Sequence, residues 1–152
     1  MMKAFKTILF IAINCFLFIL FSYIINKGFN YFFPSKELTV EWLNEESFIS
    51  QLFIAALFGP ILETLIFQTA VIETVYYFSK VDRNRIMLSL FISTTLFGFE
   101  HIYSVAYFIY GLLVGLYLSI CYIYSRKKGV EPTLTVFLVH SSWNIVATFH
   151  NQ

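Results

Sequence analysis

Hydrophobic residues run along this chain in five long blocks separated by short charged or proline-containing stretches. The first extends from about Thr7 to Ile25 and is broken only by Asn14 and Ser22. The second runs from Phe48 to Phe78 and contains Glu63 and Glu73. The third goes from Ile86 to about His101, the fourth from about Val105 to Tyr124, and the fifth from Pro132 to Phe149. A membrane-spanning helix needs about 20 mostly apolar residues, or fewer where a polar site interrupts it. The pattern therefore predicts an all-α protein, a polytopic transmembrane helix bundle of about five spans. No small-x-small cleavage site follows the first block, so it reads as a retained helix rather than a signal peptide. The second block is longer than a bilayer requires and is expected to tilt, kink near Pro60 or protrude. Pro132 is placed to start the last helix. The turn from Ile102 to Ser104 is very short.

Charge then orients the helices. Lys3 and Lys6 precede the first block, Lys80, Arg83 and Arg85 lie between the second and third, and Arg126, Lys127 and Lys128 lie between the fourth and fifth. Five spans place these eight of the ten basic residues on one side, with Glu37, Glu41, Glu45 and Glu46 on the other. Basic loops stay cytoplasmic, which predicts a cytoplasmic N-terminus and an external C-terminus. Residues 1–30 are expected to form an N-terminal transmembrane helix and 31–47 an external loop. A short amphipathic helix from Leu38 to Glu46 and an interfacial Trp42 are expected within that loop. Composition agrees: 59% of residues are hydrophobic and 12% charged, against roughly 25% charged in a soluble domain. A net charge of +1 gives no case for a nucleic-acid partner. Cys15 and Cys121 fit no metal or redox spacing and read as small hydrophobes.

Ionisable groups inside a span cost at least about 2.5–3.5 kcal/mol at its centre, so those present point to function. Glu63, His101, His140 and Asn144 are the candidates. His140 and Asn144 are four apart and share a helix face. Their bland reading is an interhelical hydrogen-bonding pair worth about 1 kcal/mol. Glu63 is either a neutral glutamate bonded to a neighbouring helix or a general base working with a histidine on a bound water. His101 closes its span, with Phe97 one turn earlier on the same face. Glu73 is on a different face from Glu63, is expected to pair with Lys80 or Arg83, and stands outside the site. Glu100 and His150 read as interfacial or solvated.

Three short segments carry a resemblance. Pro60-Ile61-Leu62-Glu63-Thr64-Leu65-Ile66-Phe67-Gln68 resembles the first motif of the CAAX protease and bacteriocin-processing (CPBP, Abi-type) intramembrane protease family, usually Glu-Glu-x-x-x-Arg. Phe97-Gly98-Phe99-Glu100-His101 is similar to the family's Phe-x-x-x-His, and His140-Ser141-Ser142-Trp143-Asn144 to its His-x-x-x-Asn. Gly111 and Gly115, four apart, resemble the family's glycine-containing helix and suit close helix packing. Two positions depart: Thr64 stands for the second Glu and Gln68 for the Arg, a pair of changes that compensate electrically, while Phe67 is retained.

The resemblance implies that residues 48–152 form an intramembrane protease core. It implies Glu63, His101, His140 and Asn144 as the catalytic set, with Thr64, Phe67, Gln68 and Phe97 as supporting motif positions. Glu63 and His101 would position and deprotonate a water, while His140 and Asn144 would stabilise the oxyanion. No cofactor is favoured. The metalloprotease-like alternative would use Glu63, His101 and His140 as zinc ligands. The implied partners are a peptide or membrane-protein substrate and the lipid bilayer, and the implied location is a bacterial cytoplasmic membrane. Two rivals are a non-catalytic membrane immunity or binding protein of the same family and a small transporter; five spans without an inverted repeat speak against the transporter.

Overall fold

A computed structural model describes residues 2–34, 40–79 and 82–150. They form helices α1 (Met2–Phe32), α2 (Glu41–Asn44), α3 (Phe48–Phe78), α4 (Asp82–Glu100), α5 (Val105–Lys128) and α6 (Pro132–His150). No strand occurs among the described residues. The five long helices coincide with the five hydrophobic blocks. They extend past them by up to a turn or two because hydropathy stops at the first charge, whereas a helix does not. Arg126, Lys127 and Lys128 form the last turn of α5, where cations complement the partial negative charge of the exposed carbonyls.

Helices α1, α3 and α5 are long and apolar enough to cross a membrane. Helices α4 and α6 have 19 residues each and are not among those three. Their polar residues explain the difference. Ser89 and Ser93 of α4, and Thr135, His140, Ser141 and Thr148 of α6, are buried within the bundle. In α6 these groups lower the hydropathy without facing lipid; in α4 the charges at its ends, Asp82, Arg83, Arg85 and Glu100, lower it most. The chain is an integral membrane protein built as a helical bundle.

Local signals set the helix ends. Ser47 caps α3 by accepting a hydrogen bond from the Ser50 amide (3.2 Å), and Ser104 caps α5 by accepting one from the Tyr107 amide (2.9 Å). The Ser104 cap lets the chain reverse between α4 and α5 over residues 101–104. Gly129 ends α5 in the left-handed conformation (φ 66°), which a glycine adopts without strain. Glu131 precedes Pro132 and its carboxylate accepts from the Thr133 and Leu134 amides, capping α6. Within the expected 38–46 helix only α2, Glu41–Asn44, is found. Residues 35–39, with Glu37, lie outside the described residues, as does Lys80. Glu73 pairs with Arg126 of α5 (Nε to Oε1, 3.0 Å) and accepts from the Tyr122 hydroxyl (3.1 Å); the Arg83 side chain, like Lys80, lies outside what is described.

Two ends of the bundle can be told apart. At one, Arg85 of α4 and Arg126 of α5 both lie over the Tyr76 ring of α3, at 4.7 and 4.5 Å. Phe10 of α1 meets Tyr124 of α5 there (5.7 Å). At the other, Phe29 of α1 meets Tyr110 (6.2 Å), and Phe48 meets Phe149 (5.1 Å). Between them lies a core of Phe18, Ile72, Phe97, Leu118, Tyr122, Val136 and Val139.

Helix α6 starts inside the bundle rather than at its basic end. Thr133 is bonded to Thr69 of α3 (3.0 Å), and Thr69 is about 14 Å along an ideal helix from the end of α3 at Phe78. Adding the about 10 Å from Thr133 to His140 puts that histidine about 24 Å from the end of α3. His101 lies about 24 Å beyond Arg85 on the same basis. Helix lengths alone place the two histidines at different depths, and this inset start of α6 brings them level.

Candidate active site

Helix α3 is not a regular α-helix around Glu63. Ile54–Phe58 and Thr64–Ala70 are π-helical, and Glu63 stands between them. Such π turns recur at functional sites because they free backbone groups and re-aim side chains. Here the cause and consequence can be traced. The Gly59 amide donates to the Ile54 carbonyl, five residues back, instead of to Ala55. Pro60, next in line, has no N–H to offer. The Ala55 carbonyl is thus without a partner in its own helix, and Asn144 of α6 supplies one, its Nδ2 donating at 2.7 Å. Asn144 therefore locks α6 to the irregular part of α3 and keeps one further N–H.

That lock helps set the distance between Glu63 and His140. Glu63 Oε2 is 3.8 Å from His140 Nε2. This is too long for a direct hydrogen bond, so a gap separates the carboxylate from the imidazole. A water with about 2.8 Å bonds to each group fits that gap. The His140 side chain is 5% exposed, and neither its Nδ1 nor Glu63 Oε2 has a hydrogen-bond partner. Gly59, one turn before Glu63, leaves room for the other carboxylate oxygen: a Cβ there would stand 3.3 Å from Glu63 Oε1.

His101 approaches from α4. Its Nδ1 is 2.8 Å from the Phe97 carbonyl, which can only accept, so in the neutral ring Nε2 carries a free lone pair. Both faces of the ring are covered, by Phe97 (4.6 Å, stacked) and by Tyr107 (5.3 Å, stacked). The Phe97 ring also lies 5.7 Å from that of His140, so one phenyl group spaces the two imidazoles. Two glycines of α5 make this possible. A Cβ on Gly111 would come within 2.8 Å of His101 Cβ, and one on Gly115 within 2.9 Å of Phe97 Cβ. The small-residue stripe of α5 thus seats the His101–Phe97 face of α4, the close approach its spacing suggests.

Glu63, His101, His140 and Asn144 line one cavity of about 370 Å³, together with Glu100, Tyr107 and Trp143. Phe97 does not line it but lies fully buried, stacked on His101. Thr64 and Gln68 are fully buried behind the cavity, one turn apart, with no hydrogen-bond partner for the Thr64 hydroxyl or either polar atom of the Gln68 side chain. Phe67 packs edge-on against Phe97 (5.8 Å). The departures at Thr64 and Gln68 therefore fall in the support of the site, while all four candidate reacting groups converge. Glu100, expected at the interface, is exposed and also lines the cavity. Tyr107 and the Ala55 carbonyl are additions that sequence reading missed. Nothing distinguishes Tyr107 among ten tyrosines; the Gly59-Pro60 pair is the one signal that a carbonyl nearby would be orphaned.

Among the described residues, no three His, Cys, Asp or Glu side chains converge as a metal-binding group.

Asn144→Ala tests the lock. Leaving the Ala55 carbonyl unpaired is expected to cost about 1–3 kcal/mol of stability, read as a lower unfolding midpoint in detergent. An unchanged midpoint would mean the bond carries no weight.

The sequence model described as "Type II CAAX prenyl endopeptidase Rce1-like" matches residues 45–146, two thirds of the chain, and spans all four site residues. No curated protein and no solved structure matches.

Proposed function

We propose, because the chain belongs to the type II CAAX prenyl endopeptidase Rce1-like family, that it is an intramembrane endopeptidase acting on a peptide or membrane-protein segment, in keeping with a bacterial cytoplasmic membrane. The observation that carries this reading is the convergence of Glu63, His101, His140 and Asn144, from three helices, on one cavity.

In the proposed reaction a water beside Glu63 Oε2 and His140 Nε2 donates one hydrogen to Glu63 Oε2 and the other to the His101 Nε2 lone pair, and accepts from the His140 Nε2–H, which passes to the developing oxyanion as the water attacks. Glu63 removes a proton as the water oxygen attacks the scissile carbonyl carbon. The oxygen of the tetrahedral intermediate receives hydrogen bonds from the His140 N–H and from the Asn144 N–H not used by Ala55. Glu63 then returns the proton to the departing amine as the C–N bond breaks. Burial of the pair keeps the electrostatic part of this stabilisation large. No metal enters the scheme, and hydrolysis is expected to survive chelators.

The test compares new peptide termini in membranes from cells expressing wild type and Glu63→Ala at matched levels. Termini present with the wild type and absent with the variant support proteolysis and name substrates. Identical termini, with both proteins inserted and folded, reject it in favour of a non-catalytic binding or immunity role.

A further inference from the structure

Helices α1 and α5 meet along a seam whose outer side is open to lipid. They run antiparallel, Phe10 lying against Tyr124 (5.7 Å), Phe18 against Tyr117 (4.9 Å) and Phe29 against Tyr110 (6.2 Å). Between the first two pairs the Cys121 thiol donates to Asn14 Oδ1 (3.8 Å). One turn beyond the Phe10–Tyr124 pair, toward the basic end, stand Lys6 on α1 and Lys128 on α5. Each is four residues from its aromatic neighbour and so on the same helix face. Lys128 reaches back over the Tyr124 ring, its Nζ 5.3 Å from the centroid, and Lys127 precedes it. Away from that end, Ile13 of α1 and Ile120 of α5 flank the seam, and both are half exposed, as is Tyr124.

Lys6, Lys127 and Lys128 are exposed, and among the described residues no carboxylate pairs with them. The acids described near them are already engaged. Glu73 is held by Arg126 and Tyr122, and Glu131 by the Thr133 and Leu134 amides of the helix it caps. In an integral membrane protein, lysines at the ends of apolar helices reach for the headgroup layer while their stems lie along apolar surface. A tyrosine suits the same depth, its ring toward hydrocarbon and its hydroxyl toward water. The seam therefore offers three ammonium groups above an aromatic and aliphatic groove. Its complement is a molecule with an anionic head and a hydrocarbon tail. A zwitterionic headgroup would bring its own cation against the lysines, whereas an anionic one brings only negative charge.

We infer that the α1–α5 seam is a binding site for an anionic phospholipid, its phosphate among Lys6, Lys127 and Lys128 and an acyl chain along Ile13 and Ile120. The inference is independent of the endopeptidase reading. The lipid ties α1 to α5, and α1 in turn presents Phe18 edge-on to the His140 ring (6.5 Å), so its loss loosens one neighbour of the site. Lys27 provides the contrast. It also lies over a tyrosine one turn away, Tyr23 (5.0 Å), but both belong to α1, and no second lysine or arginine is described at that end.

The test uses the full chain in detergent with equal amounts of phosphatidylglycerol and phosphatidylcholine of matched acyl chains, and native mass spectrometry to count each lipid retained. Wild type is compared with the triple variant Lys6→Gln/Lys127→Gln/Lys128→Gln and with Lys27→Gln. All four lysines are exposed, so glutamine at these positions leaves the fold intact. Wild type and Lys27→Gln are expected to retain phosphatidylglycerol in preference. The preference should fall in the triple variant by about fivefold for each lysine removed, the effect of one lysine near an anionic lipid surface. Phosphatidylglycerol should also raise the unfolding midpoint of the wild type and not that of the triple variant. Equal retention of the two lipids by wild type, or a preference that the triple variant keeps, overturns the inference. Displacement of the lipid by an equal concentration of dissolved glycerol phosphate shows an anion site that makes no use of the groove, and overturns it as well.

Discussion

Glu63→Gln is expected to lower peptide cleavage by about 10²–10⁴-fold, the range contributed by a positioned general base, with little change in stability. The amide keeps the volume and planarity of the carboxylate and can still hold a water. It cannot take the proton that the water must lose when it attacks. The gap of 3.8 Å between Glu63 Oε2 and His140 Nε2 makes the comparison clean. No direct bond between the two side chains is lost, so the imidazole has no reason to move. Cleavage of a quenched peptide by purified protein in liposomes measures the rate, and the unfolding midpoint measures the fold. A variant within a factor of a few of wild type would remove Glu63 as the base. A variant that unfolds would instead identify Glu63 as a structural polar group, the bland reading of an ionisable residue in a span.

Much of the architecture was legible in the hydrophobic pattern. The block from Phe48 to Phe78 is the extent of α3, and α5 and α6 start where the pattern starts them, at Val105 and Pro132. These positions are local: a serine cap, a proline and the onset of an apolar run fix them whatever the rest of the chain does. The depth of α6 was not legible, because it depends on Thr133 meeting Thr69, a contact between residues 64 apart. Nor was the route by which Asn144 acts. The spacing of His140 and Asn144 puts both on one face, but only the π turn before Pro60 shows why one of them must serve a backbone carbonyl. Glu73 teaches the same lesson from outside the site. The expected partners are its sequence neighbours Lys80 and Arg83; the structure adds Arg126, a cation from another helix that spacing does not announce. Sequence reading named four residues that line one cavity; their partners came from tertiary packing, which residue spacing does not encode.

The second large effect is expected at a residue with no side chain. Gly111→Ala places a Cβ 2.8 Å from His101 Cβ and 3.0 Å from its Cγ, and 3.4 Å from the Gly98 backbone. The first contact is with an atom bonded to the His101 backbone, not with the far end of a flexible chain, so α4 must move away from α5 at the histidine. Overpacking of this kind costs about 1–3 kcal/mol. The loss of activity should be larger than that cost implies, because a shift of about 1 Å at a reacting group lowers rates by about 100-fold. His101 has little freedom to compensate: Nδ1 is held by the Phe97 carbonyl, and Phe97 and Tyr107 cover its ring faces. Gly28→Ala is the control, since a Cβ there meets nothing within 4 Å, and alanine is the better helix former by about 1 kcal/mol. Cleavage rate and unfolding midpoint measured on both variants should therefore diverge, Gly111→Ala falling in both and Gly28→Ala in neither. If Gly111→Ala keeps full activity, the α4–α5 contact does not set the position of His101, and the histidine is not part of the reacting group. If it loses only stability, His101 holds its place by its bond to Phe97 alone, and the glycine serves the fold rather than the site.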